Sequence, residues 1–77
     1  MSEIINRSPN AIAVFANGQT YTVKMSSTIA DLLQEFSIAP TRVVVQMDGM
    51  IVQRTEFSKT VLREGSKLEI VTLVGGG

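Results

Sequence analysis

Ala11-Ile12-Ala13-Val14-Phe15-Ala16-Asn17-Gly18-Gln19-Thr20-Tyr21-Thr22-Val23 is the stretch that decides the fold. Two strand-like runs flank Asn-Gly, the pair best suited to a type I′ turn, in which both central residues need positive φ. A two-residue loop also fixes the register. It sets Ala16 opposite Gln19, Val14 opposite Tyr21 and Ile12 opposite Val23 on one face. Phe15 opposite Thr20 and Ala13 opposite Thr22 fall on the other. Two of the three pairs on the first face are wholly apolar, so turn chemistry and hydrophobic pattern select the same pairing. The return strand is expected to run from Gln19 to Met25.

Ser26-Ser27-Thr28 follows and offers N-cap hydroxyls, with Thr28 and Asp31 at capping-box spacing. Ile29, Leu32, Leu33 and Phe36 recur at i, i+3, i+4 and i+7, which makes one apolar stripe on a helix. That helix is expected to end near Ser37, because Pro40 disfavours helical geometry at Ala39. Arg42 to Met47 reads as a β-branched strand, and Asp48-Gly49 repeats the hairpin chemistry. Met50 to Gln53 returns, with Val45 facing Val52. Arg54 to Thr60 reads as irregular or as a short helical turn carrying Phe57. Arg63-Glu64-Gly65-Ser66 then turns into a last strand, Lys67 to Leu73. That strand is apolar on both faces near its end and is expected to be buried on both.

One helix among several short strands must lay its stripe across one sheet face. The expected fold class is α+β: a roll in which a mixed sheet of about five strands packs on one helix, with the first and last strands as parallel central neighbours. The expected organisation is a loose leader over 1–10, a folded body over 11–73 and a flexible reactive tail over 74–77.

At 77 residues the chain is one domain with a small core. Seven basic and seven acidic residues cancel, with no charge block, so no nucleic-acid partner is expected. No run could span a membrane or serve as a signal peptide, so no membrane partner is expected and the default location is cytoplasmic. Cysteine and histidine are both absent. The commonest general base, the commonest metal ligand and the thiol nucleophile are therefore missing, and no bound cofactor or metal is expected. No pair among the carboxylates, lysines and Tyr21 stands out as catalytic machinery, so an enzyme in its own right is poorly supported.

The last four residues are Val74-Gly75-Gly76-Gly77. Glycines lack Cβ, so an extended tail of them would reach about 10 Å and enter a slot too narrow for side chains. The Gly77 carboxylate is the expected reactive group, and Gly75 and Gly76 the segment that fits a partner's active site. Val44, Ile51 and Leu73 are expected to project away from the helix and, with Val74, to form a partner-docking surface. Met47 and Met50 flank the second turn as adaptable filler.

The second half of the chain resembles the small bacterial sulfur carriers of the ThiS type, ubiquitin-like proteins of the β-grasp fold. The residues that carry the resemblance are Val43 to Arg54, a valine strand, turn and return strand; Leu62 to Val71, an acid-Gly turn and final strand; Thr28 to Leu33, a helix start; and the Val74-Gly75-Gly76-Gly77 ending. Gln53 stands where a Pro is common, and Ser66 replaces an acid at a position read as loop or rim. The resemblance implies a carrier cycle. A ubiquitin-activating-like enzyme would adenylate the terminal carboxylate with ATP, sulfur from a cysteine desulfurase would convert it to a thiocarboxylate, and thiazole synthase would take that sulfur for the thiazole of thiamine. Two alternatives stay open: the small subunit of molybdopterin synthase or a lysine-conjugated modifier, and a plain β-grasp interaction module whose tail has no chemistry.

Overall fold

The computed structural model describes residues 10–73. Nearly all of the expected leader and the whole tail, Val74 to Gly77, lie outside the described residues. Strand β1 (Ala11–Ala16) and strand β2 (Gln19–Lys24) pair antiparallel in the expected register, from Ala16↔Gln19 to Ile12↔Val23. Asn17 and Gly18 both take positive φ, as a type I′ turn requires. Helix α1 (Ile29–Glu35) opens with a complete capping box. The Thr28 hydroxyl accepts from the Asp31 N–H at 3.2 Å, and the Asp31 carboxylate accepts from the Thr28 N–H at 2.9 Å.

The helix ends at Phe36, and the reason lies nearer than Pro40. Ser37 adopts φ 59°, its N–H donates to the Gln34 carbonyl, and the Ile38 N–H donates to the Leu33 carbonyl at 2.9 Å. Those two bonds make a Schellman motif with serine in the place where glycine is usual. Pro40 instead opens a single 3-10 turn, Pro40–Arg42, leading into strand β3 (Val43–Met47). Strand β4 (Met50–Val52) returns across Asp48-Gly49 and sets Val45 opposite Val52. A second 3-10 turn, Arg54–Glu56, brings in Phe57, and strand β5 (Lys67–Thr72) closes the fold.

The strand order is β2-β1-β5-β3-β4. β5 is central, parallel to β1 and antiparallel to β3, so the last strand joins the two hairpins. This is the β-grasp arrangement. The seam between β1 and β5 is carried past its two paired residues by loop and side-chain groups. The Phe15 and Asn17 N–H groups donate to the Ser66 and Leu68 carbonyls, and the Gly65 N–H donates to the Ala13 carbonyl. The Glu64 carboxylate accepts from the Ala13 N–H at 3.0 Å.

Five strands at about 4.8 Å spacing make a sheet about 19 Å wide, whereas a helix with its side chains covers about 10–12 Å. Ile29, Leu32 and Leu33 cover the middle, against Val14, Ala16, Val45, Leu68 and Ile70. Phe57 and Leu62, both buried, come from the connection between β4 and β5 and widen the cover. That connection is tied to the start of α1: the Ile29 and Ala30 N–H groups donate to the carbonyls of Thr60 and Phe57, and the Leu62 N–H donates to Ser27. Two donors that a helix start leaves unsatisfied thus find partners in the loop.

Two expectations are corrected. β5 is buried on one face only: Leu68 and Ile70 point to the helix, while Val71 is 56% exposed. A single helix covers one side of the sheet, so no strand in it can be buried on both. Ser66 is also no rim residue. It is 5% exposed, and its hydroxyl accepts from the Arg63 N–H at 2.9 Å, which satisfies an amide in the tight turn before β5. The helix of the described residues is too short to cross a membrane.

Leu33 has no exposed surface. Leu33→Ala should lower unfolding free energy by about 2–5 kcal/mol in a denaturant titration, with the slope of the transition unchanged. Thr28→Ala, which removes half of the capping box, should lower it by about 1 kcal/mol.

Candidate functional site

Two features of the folded body bear on the proposed chemistry: the place where β5 leaves the sheet, and the sheet face that α1 does not cover. Gly75, Gly76, Gly77 and Val74 lie outside the described residues, and Leu73 is the last residue before them. Leu73 is exposed, and its N–H donates to the Arg42 carbonyl at 2.7 Å. That bond holds the β3 side of the strand end.

The opposite side is held differently. β1 has already entered its turn when β5 reaches Ile70, so no strand is left beside it. The Asn17 side chain takes the strand's place. Its Oδ1 accepts from the Ile70 N–H at 2.7 Å, and its Nδ2 donates to the Ile70 carbonyl at 3.0 Å. A carboxamide carries one acceptor and one donor in a plane, as a peptide edge does, so it continues the ladder by one step. The second hairpin turn acts in a similar way at the other end of β5. Asp48 Oδ1 accepts from the Lys67 N–H at 3.2 Å, and the Asp48 N–H donates to the Lys67 carbonyl. There the side chain serves only an N–H, for which a carboxylate suffices.

On the outer face, Val44 stands directly across from Val71, and Ile51 stands across from Gln46, which is paired in turn with Glu69. Leu73 follows Val71 on the same side by strand alternation. Val44, Ile51, Val71 and Leu73 are all exposed, Ile51 at 61%. Val44 and Val71 are directly paired, Leu73 and Ile51 lie diagonal to Val44, and Gln46 sits between Ile51 and Glu69. Phe15 and Met50 are also exposed, Phe15 on this face and Met50 at the sheet edge. Three of these residues are the ones singled out in the sequence. Val71 was missed because the last strand was read as buried on both sides. Its position two residues after Glu69 was the available signal, since Lys67, Glu69, Val71 and Leu73 share a parity.

A further hollow lies away from both. An open groove of about 680 Å³ runs between β2 and α1, past Thr22, Lys24, Asp31 and Glu35. Asp31 is already engaged in the helix cap there. Among the described residues, no group of three or more His, Cys, Asp or Glu side chains converges on a metal-sized site. The folded body therefore offers an anchored strand end and an exposed apolar face, with Asn17, Thr28, Asp31, Asp48 and Ser66 engaged in caps, turns and ladder.

Comparison with known proteins gives the following. The model of the ThiS family matches residues 5–77. A crystal structure of thiamine biosynthesis protein ThiS from Geobacter metallireducens superposes with a TM-score of 0.73 at 28% identity, covering 86% of this chain and 100% of that one. A protein named thiazole synthase from Magnetococcus marinus is 30% identical over 64 residues, which is 83% of this chain and 20% of that one. The chain thus spans about a fifth of that relative's length. Uncharacterized protein ycf40 of Trieres chinensis is 33% identical over 63 residues, 82% of this chain and 86% of that one.

Proposed function

The chain belongs to the ThiS family, whose members are ThiS-like sulfur carriers, and from that membership we propose that its cargo is carried as a thiocarboxylate on Gly77. The observation that carries this reading is that the family match runs through the glycine ending to residue 77. The absence of histidine and cysteine agrees with it, because the chain brings neither the usual base nor a thiol of its own.

A carboxylate is a poor electrophile. An adenylating enzyme overcomes this by letting a Gly77 carboxylate oxygen attack the α-phosphorus of ATP, with release of pyrophosphate. The terminal sulfur of a partner's persulfide, formed by a cysteine desulfurase, then displaces AMP from the acyl carbon, and a partner thiol cleaves the resulting acyl disulfide, leaving the thiocarboxylate on Gly77 and a disulfide on the partner. Gly75 and Gly76 leave the approach to that carbon free of side chains. In this reading the chain is non-catalytic: it is the substrate of its partner enzymes, and a cytoplasmic location, where ATP is available, agrees with that role. Similarity to a protein named thiazole synthase favours thiamine thiazole as the destination of the sulfur over the other possible clients. The exposed area of Val44, Ile51, Val71 and Leu73 is assigned to docking, since a contiguous apolar area suits a partner better than water does.

Incubation with ATP, the activating enzyme, a cysteine desulfurase, free cysteine and a thiol reductant should raise the intact mass by the difference between sulfur and oxygen. The gain should map to Gly77 and vanish when Gly77 is deleted. An unchanged mass for the full chain would end the carrier reading. Val44→Asp should raise the KM of the adenylating enzyme for this protein by about tenfold or more, the scale of losing one interface anchor. Val44 is only 37% exposed and sits mid-strand, where Asp is disfavoured, so the unfolding free energy should also fall by about 1 kcal/mol.

A further inference from the structure

Asn17 does more than its turn requires. At φ 51°, followed by Gly18 at φ 83°, it meets the backbone demand of a type I′ turn. Glycine would meet that demand equally well, without strain. What glycine lacks is the carboxamide that grips both peptide groups of Ile70, at 2.7 and 3.0 Å. Aspartate, which occupies the matching position of the second hairpin, has an acceptor for the N–H but no donor for the carbonyl.

The grip is placed where packing is poor. A hollow of about 280 Å³ adjoins Asn17 and Ile70, bounded by Tyr21, Phe36, Ile38 and Thr72. On the β1 side, the Asn17 amide is the last hydrogen-bonding group of the hairpin to reach β5. On the β3 side, the last is the Arg42 carbonyl, which accepts from Leu73. These two anchors, three residues apart and on opposite edges, fix both the position and the direction of the strand just before Val74.

We propose that Asn17 is a positioning residue for the reactive tail, fixing β5 at Ile70 and with it the direction of the strand as far as Leu73, the last described residue before the tail. The proposal rests on the carrier reading above. A tail aimed by the body reaches an enzyme's active site already oriented once the body has docked. Without the grip, β5 beyond Leu68 is held on its β3 edge alone, by the pairing of Ile70, Val71 and Thr72 with β3 and by the Leu73–Arg42 bond, and the strand end has freedom to lose at that step. Val44 and Ile51 of the outer face lie on β3 and β4, away from Asn17, so losing the grip should act mainly after binding.

Asn17→Gly keeps the turn and removes the grip; Asn17→Asp keeps acceptance from the Ile70 N–H and sets a carboxylate against the Ile70 carbonyl. Both should unfold cooperatively, and the amides of Ile70 and Leu73 should exchange with deuterium faster in Asn17→Gly than in the parent. With the adenylating enzyme and ATP, kcat for adenylate formation should fall by about tenfold in Asn17→Gly, the scale of a loosened reactant orientation, with KM unchanged. Asn17→Asp should fall between the parent and Asn17→Gly, and it carries the test if the glycine variant does not fold. Unchanged kcat alongside faster exchange at Ile70 would overturn the proposal and leave Asn17 a structural clasp. No adenylate from the parent protein itself would instead remove the carrier reading, and the positioning role with it.

Discussion

One short helix must serve a five-stranded sheet, and much of the molecule follows from that mismatch. The seven residues of α1 offer three buried side chains, enough for the middle of one face. The rest of that face is closed by Phe57 and Leu62, carried on a connection with no regular strand or long helix of its own. This explains why the connection is bound so closely to the start of α1, through Thr60, Phe57 and Ser27. The helix's unsatisfied donors become the means of holding the second half of the lid. Among the described residues none covers the opposite face, and its apolar side chains stand exposed.

Most of this plan was legible in the sequence because each device there is local. Asn17-Gly18 and Asp48-Gly49 set their registers by turn geometry alone, and Thr28 with Asp31 marks its helix start within four residues. The membership of the core was legible from the stripe Ile29, Leu32, Leu33 and Phe36, although Phe36 is only partly buried and packs against Tyr21 with the rings tilted at 57° and their centroids 4.9 Å apart. What was not legible depends on distant neighbours. Val71 has the composition of a core residue and the parity of a surface one. Only the count of layers decides between them, and that is a property of the whole fold. Ser66 looked like a loop residue because its type is common in turns; its burial comes from β1 closing over the turn through Phe15 and Gly65.

The candidate site divides in the same way. The glycine ending was plain, because three consecutive glycines have few structural uses. Val44, Ile51 and Leu73 could be placed on the outer face by strand alternation. Asn17 could not be connected with Ile70. Its place in the turn fully explained it, and a residue with one sufficient reason gives no hint of a second. The two positions lie 53 residues apart, and no pattern within either strand carries that distance.

The central position of β5 also bears on the order in which the molecule can be made. A chain that emerges from the ribosome N-terminus first presents two hairpins and a helix, with nothing to join them until Lys67–Thr72 arrives. Before then, β1 and β3 each have one bare edge, and the apolar faces of both hairpins are exposed. Such a chain has two unfinished sheets that can pair with other chains. Closure then requires contacts spanning about fifty residues of sequence, which slows folding relative to a helical protein of the same size. Completion of the fold therefore waits on the segment that leads directly into the glycines. A nascent chain cut short before Lys67 would have no assembled body to offer a partner.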